Sequence, residues 1–179
     1  MEFLIHQIGA GPATAAWQGP LSEEHDFTFE SVHIEVKTTS GEHRRHVING
    51  LDQLVPLRGV PLSLLSIQLT RAAPDSGRTL PQVVAQTRQI AGGHQVAVDL
   101  MLNNFGWEDD DADLYPTFWA LRSQPRAYDI KGDFPAMTPN LVGPVIPNFG
   151  LLSEVSYRVN LTDLHHDTLP DPIAGFVES

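Results

Sequence analysis

Asp26, Glu35 and Lys37 are the residues of this sequence whose types and spacing best suit bond-breaking chemistry. They lie in the run HDFTFESVHIEVKTT, residues 25–39, whose alternation of apolar and polar positions predicts a β-hairpin. If Glu30-Ser31 forms the turn, or the centre of a four-residue loop, Asp26 faces Glu35, Phe27 faces Ile34 and Phe29 faces Val32. Successive side chains point to opposite faces of a strand. Phe27, Phe29, Val32, Ile34 and Val36 therefore share an apolar face, and Asp26, Thr28, His33, Glu35 and Lys37 share the other. Glu24 falls opposite Lys37 if pairing runs that far.

Directly opposed residues have Cβ atoms roughly 4.5–5.5 Å apart, so two carboxylates so placed repel unless a cation lies between them. Mg²⁺, or Mn²⁺ in its place, takes oxygen ligands and is commonly held by one or two carboxylates with water and substrate phosphate. Asp26, Glu35 and the carbonyl of Val36 are the expected ligands. Lys37 shares the face of Glu35, where it could orient or help deprotonate an attacking water, or stabilise charge developing on a phosphate. In outline this is a site for phosphodiester hydrolysis. The alternative is an exposed, salt-bridged face of an edge hairpin with no metal at all.

The elements that must hold these residues can be read from pattern and punctuation. Phe3–Ile8 reads as the end of a helix stopped by Gly9, Gly11 and Pro12. After the hairpin, the Ser40-Gly41 turn leads to a third strand at Arg44–Ile48, as in a meander. Leu62–Leu69 is a continuous apolar run, the mark of a strand buried on both faces. Thr79-Leu80-Pro81-Gln82 forms a capping box, predicting a helix that ends near Gly92-Gly93. A second helix, about Gln95–Phe105, carries Val98, Leu102 and Phe105 at helical spacing. Phe118–Ile130 and Val155–Leu161 read as strands, joined by a long Pro- and Gly-rich connection over 135–150. The result is a single α/β domain over residues 1–179, with no repeat and no low-complexity segment.

Composition narrows the functions available. The 179 residues, 41% hydrophobic, suffice for one sizeable core. The chain has no cysteine, which rules out disulfides, thiolate zinc sites and cysteine nucleophiles and suits a cytoplasmic protein. No apolar run is long enough to span a bilayer, and no secretory leader is visible. Eleven basic against 22 acidic residues give a net charge of −11, so the overall field repels nucleic acid and anionic membranes. DNA contact would need a local patch, for which Lys37 and His43-Arg44-Arg45-His46 are the candidates. Alternation sends Arg44 and Arg45 to opposite faces, so one of the two is expected to reach DNA. The run Glu108–Asp111 with Asp113 reads as a solvated acidic loop.

An Asp followed, across a hairpin, by Glu-x-Lys resembles the PD-(D/E)xK nuclease signature. The resemblance extends through Ala16-Trp17-Gln18-Gly19-Pro20, His25-Asp26-Phe27, Glu35-Val36-Lys37-Thr38-Thr39 and Leu51-Asp52-Gln53-Leu54. It continues in Tyr128-Asp129-Ile130, Asp133-Phe134-Pro135 and Val155-Ser156-Tyr157 and covers nearly the whole chain. These pieces look like the bacterial family of PD-(D/E)xK motif proteins. That resemblance implies a restriction-endonuclease-like mixed sheet with flanking helices, Asp26 and Glu35 as metal ligands, and Lys37 as the catalytic lysine. It implies a nuclease in a restriction or phage-defence gene set, with DNA and other defence proteins as partners and a homodimer left open. Members also carry a longer N-terminal region with a helical Gly-Glu motif that adds a carboxylate. With the sequence starting at Met1-Glu2, that region is expected to be shortened, with Glu2 and Glu24 as candidates for an additional acid. A shortened site suggests a second reading, an inactive nuclease-fold subunit acting in protein assembly.

Other clusters are weaker. Asp163, His165, His166 and Asp167 have metal-binding composition without a recognisable ligand spacing. Ser22 and Ser31 lie near His25 and His33 without the order of a nucleophilic triad. Gly9, Gly11 and Gly19 lack the Lys-Ser/Thr ending of a phosphate loop.

Overall fold

The structure is a computed structural model and describes residues 1–21, 23–57 and 59–176. A curled mixed sheet forms its centre. Strands β1 (Phe27–Thr28), β2 (His33–Thr39) and β4 (Leu62–Arg71) lie side by side, and β5 (Trp119–Leu121) and β6 (Arg126–Asp129) line the far edge of β4. β1 and β2 form the expected hairpin in the expected register, Phe27 opposite Ile34 and Thr28 opposite His33. β2 and β4 run parallel, with Glu35 beside Leu64 and Lys37 beside Ser66. β5 and β6 are both antiparallel to β4. The expected Phe118–Ile130 strand is thus one path broken around Ser123-Gln124-Pro125.

The third strand departs from the expected meander. β3 (Arg45–Asn49) leaves the central sheet and pairs antiparallel with β7 (Ser156–Asn160), 107 residues away between Asn49 and Ser156. Its strict alternation of exposed and buried residues shows why. One side of the β3–β7 ribbon must be covered, and it packs on the central sheet through Ile48, Val159 and Leu161 against Leu64 and Tyr128.

The helices cover the opposite side. α1 (Glu2–Ile8) does not end the N-terminal helical region, as Gly9, Gly11 and Pro12 suggested. Gly9, at φ 87°, makes a corner, and α2 (Ala10–Ala16) starts at once. Pro12 falls in its first turn, where no N–H is needed. α3 (Leu80–Ala91) carries the predicted capping box: Thr79 Oγ1 accepts the Gln82 N–H at 3.3 Å and Gln82 Oε1 accepts the Thr79 N–H at 2.8 Å. α4 (Gln95–Asn104) buries Val98, but Phe105, expected beside it, is 58% exposed. Leu4, Ile5, Ala13, Ala91 and Val98 from these helices meet Val32, Ile34 and Leu65 from the sheet. The long connection holds a short helix, α5 (Pro139–Val142), and 3-10 turns.

The acidic run forms an exposed 3-10 segment, Asp109–Leu114, clipped to α3 where Asp109 Oδ1 accepts from Arg88 at 2.7 Å. Among the described residues no helix is long and apolar enough to cross a membrane.

Candidate active site

Asp26 is held from behind by the segment that precedes it. Trp17 forms a bridge to Phe27, and the N–H groups of Gln18 and Gly19 donate to the Asp26 carbonyl at 2.8 and 3.1 Å. The approach is so close that a Cβ on Gly19 would lie 2.7 Å from Asp26 Oδ1. The other carboxylate oxygen, Oδ2, accepts the Val36 N–H at 2.8 Å. The Asp26 side chain therefore takes over on β2 where the backbone ladder of β1 stops. The N–H and C=O of one strand residue point to the same side, so Val36 presents its carbonyl to this same edge.

Glu35 stands on the next position of β2, only 2% exposed. Its Oε1 is 2.6 Å from Lys37 Nζ. Burial, and then the neighbouring Asp26 charge, push the Glu35 carboxyl up to about 7, against the pull of the Lys37 ion pair and the Asp26 N–H. Burial also raises Asp26, opposed by the Val36 N–H and the Lys37 charge. A buried and a half-buried carboxylate with a single ammonium leave the pair short of positive charge when both acids ionise. The oxygens that could hold a divalent cation are those of Asp26 and Glu35 with the Val36 carbonyl, a hard donor set that fits Mg²⁺ or Mn²⁺. Among the described residues no group of three histidine or acidic side chains forms a ready-made metal cluster.

The other expected residues are distributed differently. Glu2 is clamped by Arg78, whose Nη1 and Nη2 donate to its two oxygens at 2.7 and 2.6 Å, so its carboxylate is already engaged away from Asp26 and Glu35. Glu24 is exposed, and the β1–β2 ladder stops at Phe27 before reaching it. The expectation that Arg44 meets DNA phosphates is corrected: it is 1% exposed, and its guanidinium donates to the carbonyl and hydroxyl of Ser66, to Ser123 Oγ and to the Gln124 carbonyl. Its neighbour Arg45 is exposed on the outer face of the ribbon. Asp167 anchors β6, its Oδ2 accepting the Asp129 N–H at 3.0 Å, while His165 and His166 stack in solvent. Ser22 lies outside the described residues.

Three features were not legible as site components. His33 was expected on the site face, but its pairing with buried His25, Nδ1 to Nδ1 at 3.0 Å, was not. Burial, and then the His33 ring, lower His25. On the inner side of β3, His46 Nε2 lies 2.7 Å from Ser66 Oγ, which also accepts from Arg44 at 2.9 Å. Burial first, and the Arg44 charge next, hold His46 down at about 4, so it is neutral. Gly19 is the third. It belongs to the quoted Ala16–Pro20 motif, but a glycine's role as a space-maker for a carboxylate has no composition signal.

Residues 1–162 match the family model described as "Putative PD-(D/E)XK family member, (DUF4420)". No curated protein matches, and no solved structure does.

Proposed function

Because the chain belongs to that PD-(D/E)XK family, we propose that it is a metal-dependent DNA endonuclease in a bacterial restriction or phage-defence system, acting in the cytoplasm. Family membership carries a nuclease-like function; the choice of DNA, of Mg²⁺ or Mn²⁺ and of a defence role is this reading's own. The observation that supports it most is the meeting of Asp26, Glu35 and Lys37 at the edge where the β1–β2 ladder ends. Asp26 and Glu35, with the Val36 carbonyl, would hold the metal. Bound there, it would supply Lewis-acid stabilisation of the phosphate and favour ionisation of water.

The chain's own groups do the rest. Lys37 rests on Glu35 at 2.6 Å, and from the same face its ammonium orients the attacking water and offsets charge developing on the phosphate. Water oxygen loses a proton and bonds to phosphorus, the bond to the leaving oxygen breaks, and the leaving oxygen takes up one proton, so the step is neutral in protons overall. The buried surroundings of Glu35 strengthen each of these electrostatic contacts. Partners under this reading are DNA, other proteins of the same gene set and, for two-strand cleavage, a second copy of the chain.

The acidic balance of the chain favours a second reading, an inactive nuclease-fold subunit used in assembly. Plasmid cleavage in Mg²⁺ and Mn²⁺ separates the two, run alone and with proteins encoded beside this one. Wild type should cut, and Lys37→Ala should cut about 10²–10⁴-fold more slowly while remaining folded by circular dichroism. No cleavage by wild type under any condition, or equal cleavage by the variant, leaves the assembly reading in its place.

A further inference from the structure

The β3–β7 ribbon has one side on the central sheet and one in solvent. Its register sets Arg45 opposite Asn160, Val47 opposite Arg158 and Asn49 opposite Ser156. All six of these are exposed, whereas the alternate residues His46, Ile48 and Val159 are buried. Arg45 and Arg158 are diagonal neighbours across the ribbon, a relation that places Cα atoms roughly 7–8 Å apart. We propose that this outer face is a docking surface for the phosphate backbone of duplex DNA, with Arg45 and Arg158 as its charged contacts. The proposal rests on the nuclease reading and assigns it a binding surface.

Three observations carry it. The face contains no carboxylate, although the chain as a whole has a net charge of −11. Six basic side chains elsewhere are committed, Lys37, Arg78, Arg88 and Lys131 to acids and Arg44 and Arg126 to carbonyls and hydroxyls, while Arg71 at the end of β4 is exposed. Among the described residues neither Arg45 nor Arg158 makes an ion pair. The two asparagines have their acceptor ends occupied, Asn49 Oδ1 by Ser156 Oγ at 3.3 Å and Asn160 Oδ1 by Thr162 Oγ1 at 2.7 Å. That leaves their amide NH₂ groups available beside the two guanidiniums. A face whose available groups are donors suits phosphate oxygens and repels cationic or donor-rich surfaces. Its inner side carries His46 onto Ser66, the strand neighbour of Lys37, so the ribbon packs over the strands that carry the proposed catalytic lysine.

The test is equilibrium binding of a fluorescent duplex of about 20 base pairs, read by anisotropy in Ca²⁺ and in EDTA across about 50–200 mM salt. Wild type is compared with Arg45→Gln/Arg158→Gln and with Arg71→Gln, an exposed arginine on the end of β4 away from the ribbon. The double variant should weaken binding about tenfold or more at low salt and reduce the log–log salt slope by about two, uniformly across duplex sequences. Arg71→Gln should leave the slope near wild type. Equal affinity and slope in wild type and double variant, both folded by circular dichroism, overturn the ribbon assignment and leave the nuclease reading standing. A wild type that binds no duplex in either buffer overturns both readings. Retention of an acidic protein partner by wild type only, with DNA binding unchanged, gives the face to a protein instead.

Discussion

Ile34 and Glu35 are consecutive residues of one strand, 1% and 2% exposed, yet they face two different interiors. Ile34 looks toward the helices, among Leu4, Ile5, Ala13, Leu65 and Val98. Glu35 looks toward the ribbon, where the same strands contribute His33, Lys37, Ser66 and Gln68 next to Leu64 and Tyr128. Burial on the first side stabilises, at about 25 cal/mol per Å² of apolar surface. Burial on the second confines a carboxylate that keeps one ammonium partner and a backbone donor, which costs free energy whenever the acid is ionised. A sheet that is hidden on both faces thus divides its labour, one side holding the fold and the other holding charge ready for chemistry.

The largest stability effect should come from the first side. Ile34→Ala removes most of a side chain from a packed interior and should cost about 2–5 kcal/mol, read as a lowered denaturation midpoint with an unchanged slope. A loss below about 1 kcal/mol would mean that the helices do not depend on this face.

The second side should behave in the opposite sense. Glu35 has its carboxyl near 7 in the folded chain, against an ordinary 4.5. Between those values the folded protein keeps a proton that the unfolded chain has released, so stability falls as pH rises through the window and stays reduced above it. Glu35→Gln cannot ionise and should escape this loss. At pH above about 7 it should be more stable than wild type by up to about 3 kcal/mol, with the two converging toward pH 4.5. Asp26, also raised, contributes a slope of the same sign that remains in the variant. Thermal melts over this range check it, and a variant that is less stable than wild type at high pH would show that the Lys37 pair outweighs burial. Cleavage by wild type should meanwhile increase as pH rises through about 7, as Glu35 becomes available in its charged form.

How far the sequence disclosed this arrangement depends on the range of the interactions involved. The hairpin register, its two faces and the Thr79 cap are set by neighbours a few residues apart, and periodicity with cap chemistry expresses them. Leu62–Leu69 announced its double burial by continuous hydrophobicity. The pairing of β3 with β7 did not show, because both alternate like any half-buried strand and nothing local chooses a partner so distant. Arg44 misled for the same reason. Arginine is usually a surface residue, and the Ser66, Ser123 and Gln124 groups that satisfy its guanidinium are supplied by β4 and the turn between β5 and β6. Asp26, Glu35 and Lys37 could be brought together on paper, but the burial that raises both acids depends on packing from outside the hairpin, such as the Trp17–Gly19 segment against Asp26.

The smallest stability change, and the sharpest probe of the charged side, is expected at Gly19. Its backbone does not adopt the left-handed conformation that would itself demand glycine, so the effect of a methyl group is decided by what that group meets. It would lie 2.7 Å from Asp26 Oδ1. The carboxylate is the free end of a short side chain and can rotate away, but doing so gives up the Val36 N–H, a bond of 2.8 Å. Losing such a bond costs about 1 kcal/mol, while replacing glycine by alanine lowers the entropy of the unfolded chain and returns about 0.4–1 kcal/mol. Gly19→Ala should therefore melt close to wild type. Its Mg²⁺ affinity and cleavage rate should nonetheless fall about tenfold to a hundredfold, since a displacement on the order of 1 Å is enough to misplace a reacting group. Calorimetric metal titration beside a melt separates the two quantities. If the variant binds metal and cuts like wild type, the orientation of Asp26 that Gly19 permits is not the one the chemistry uses.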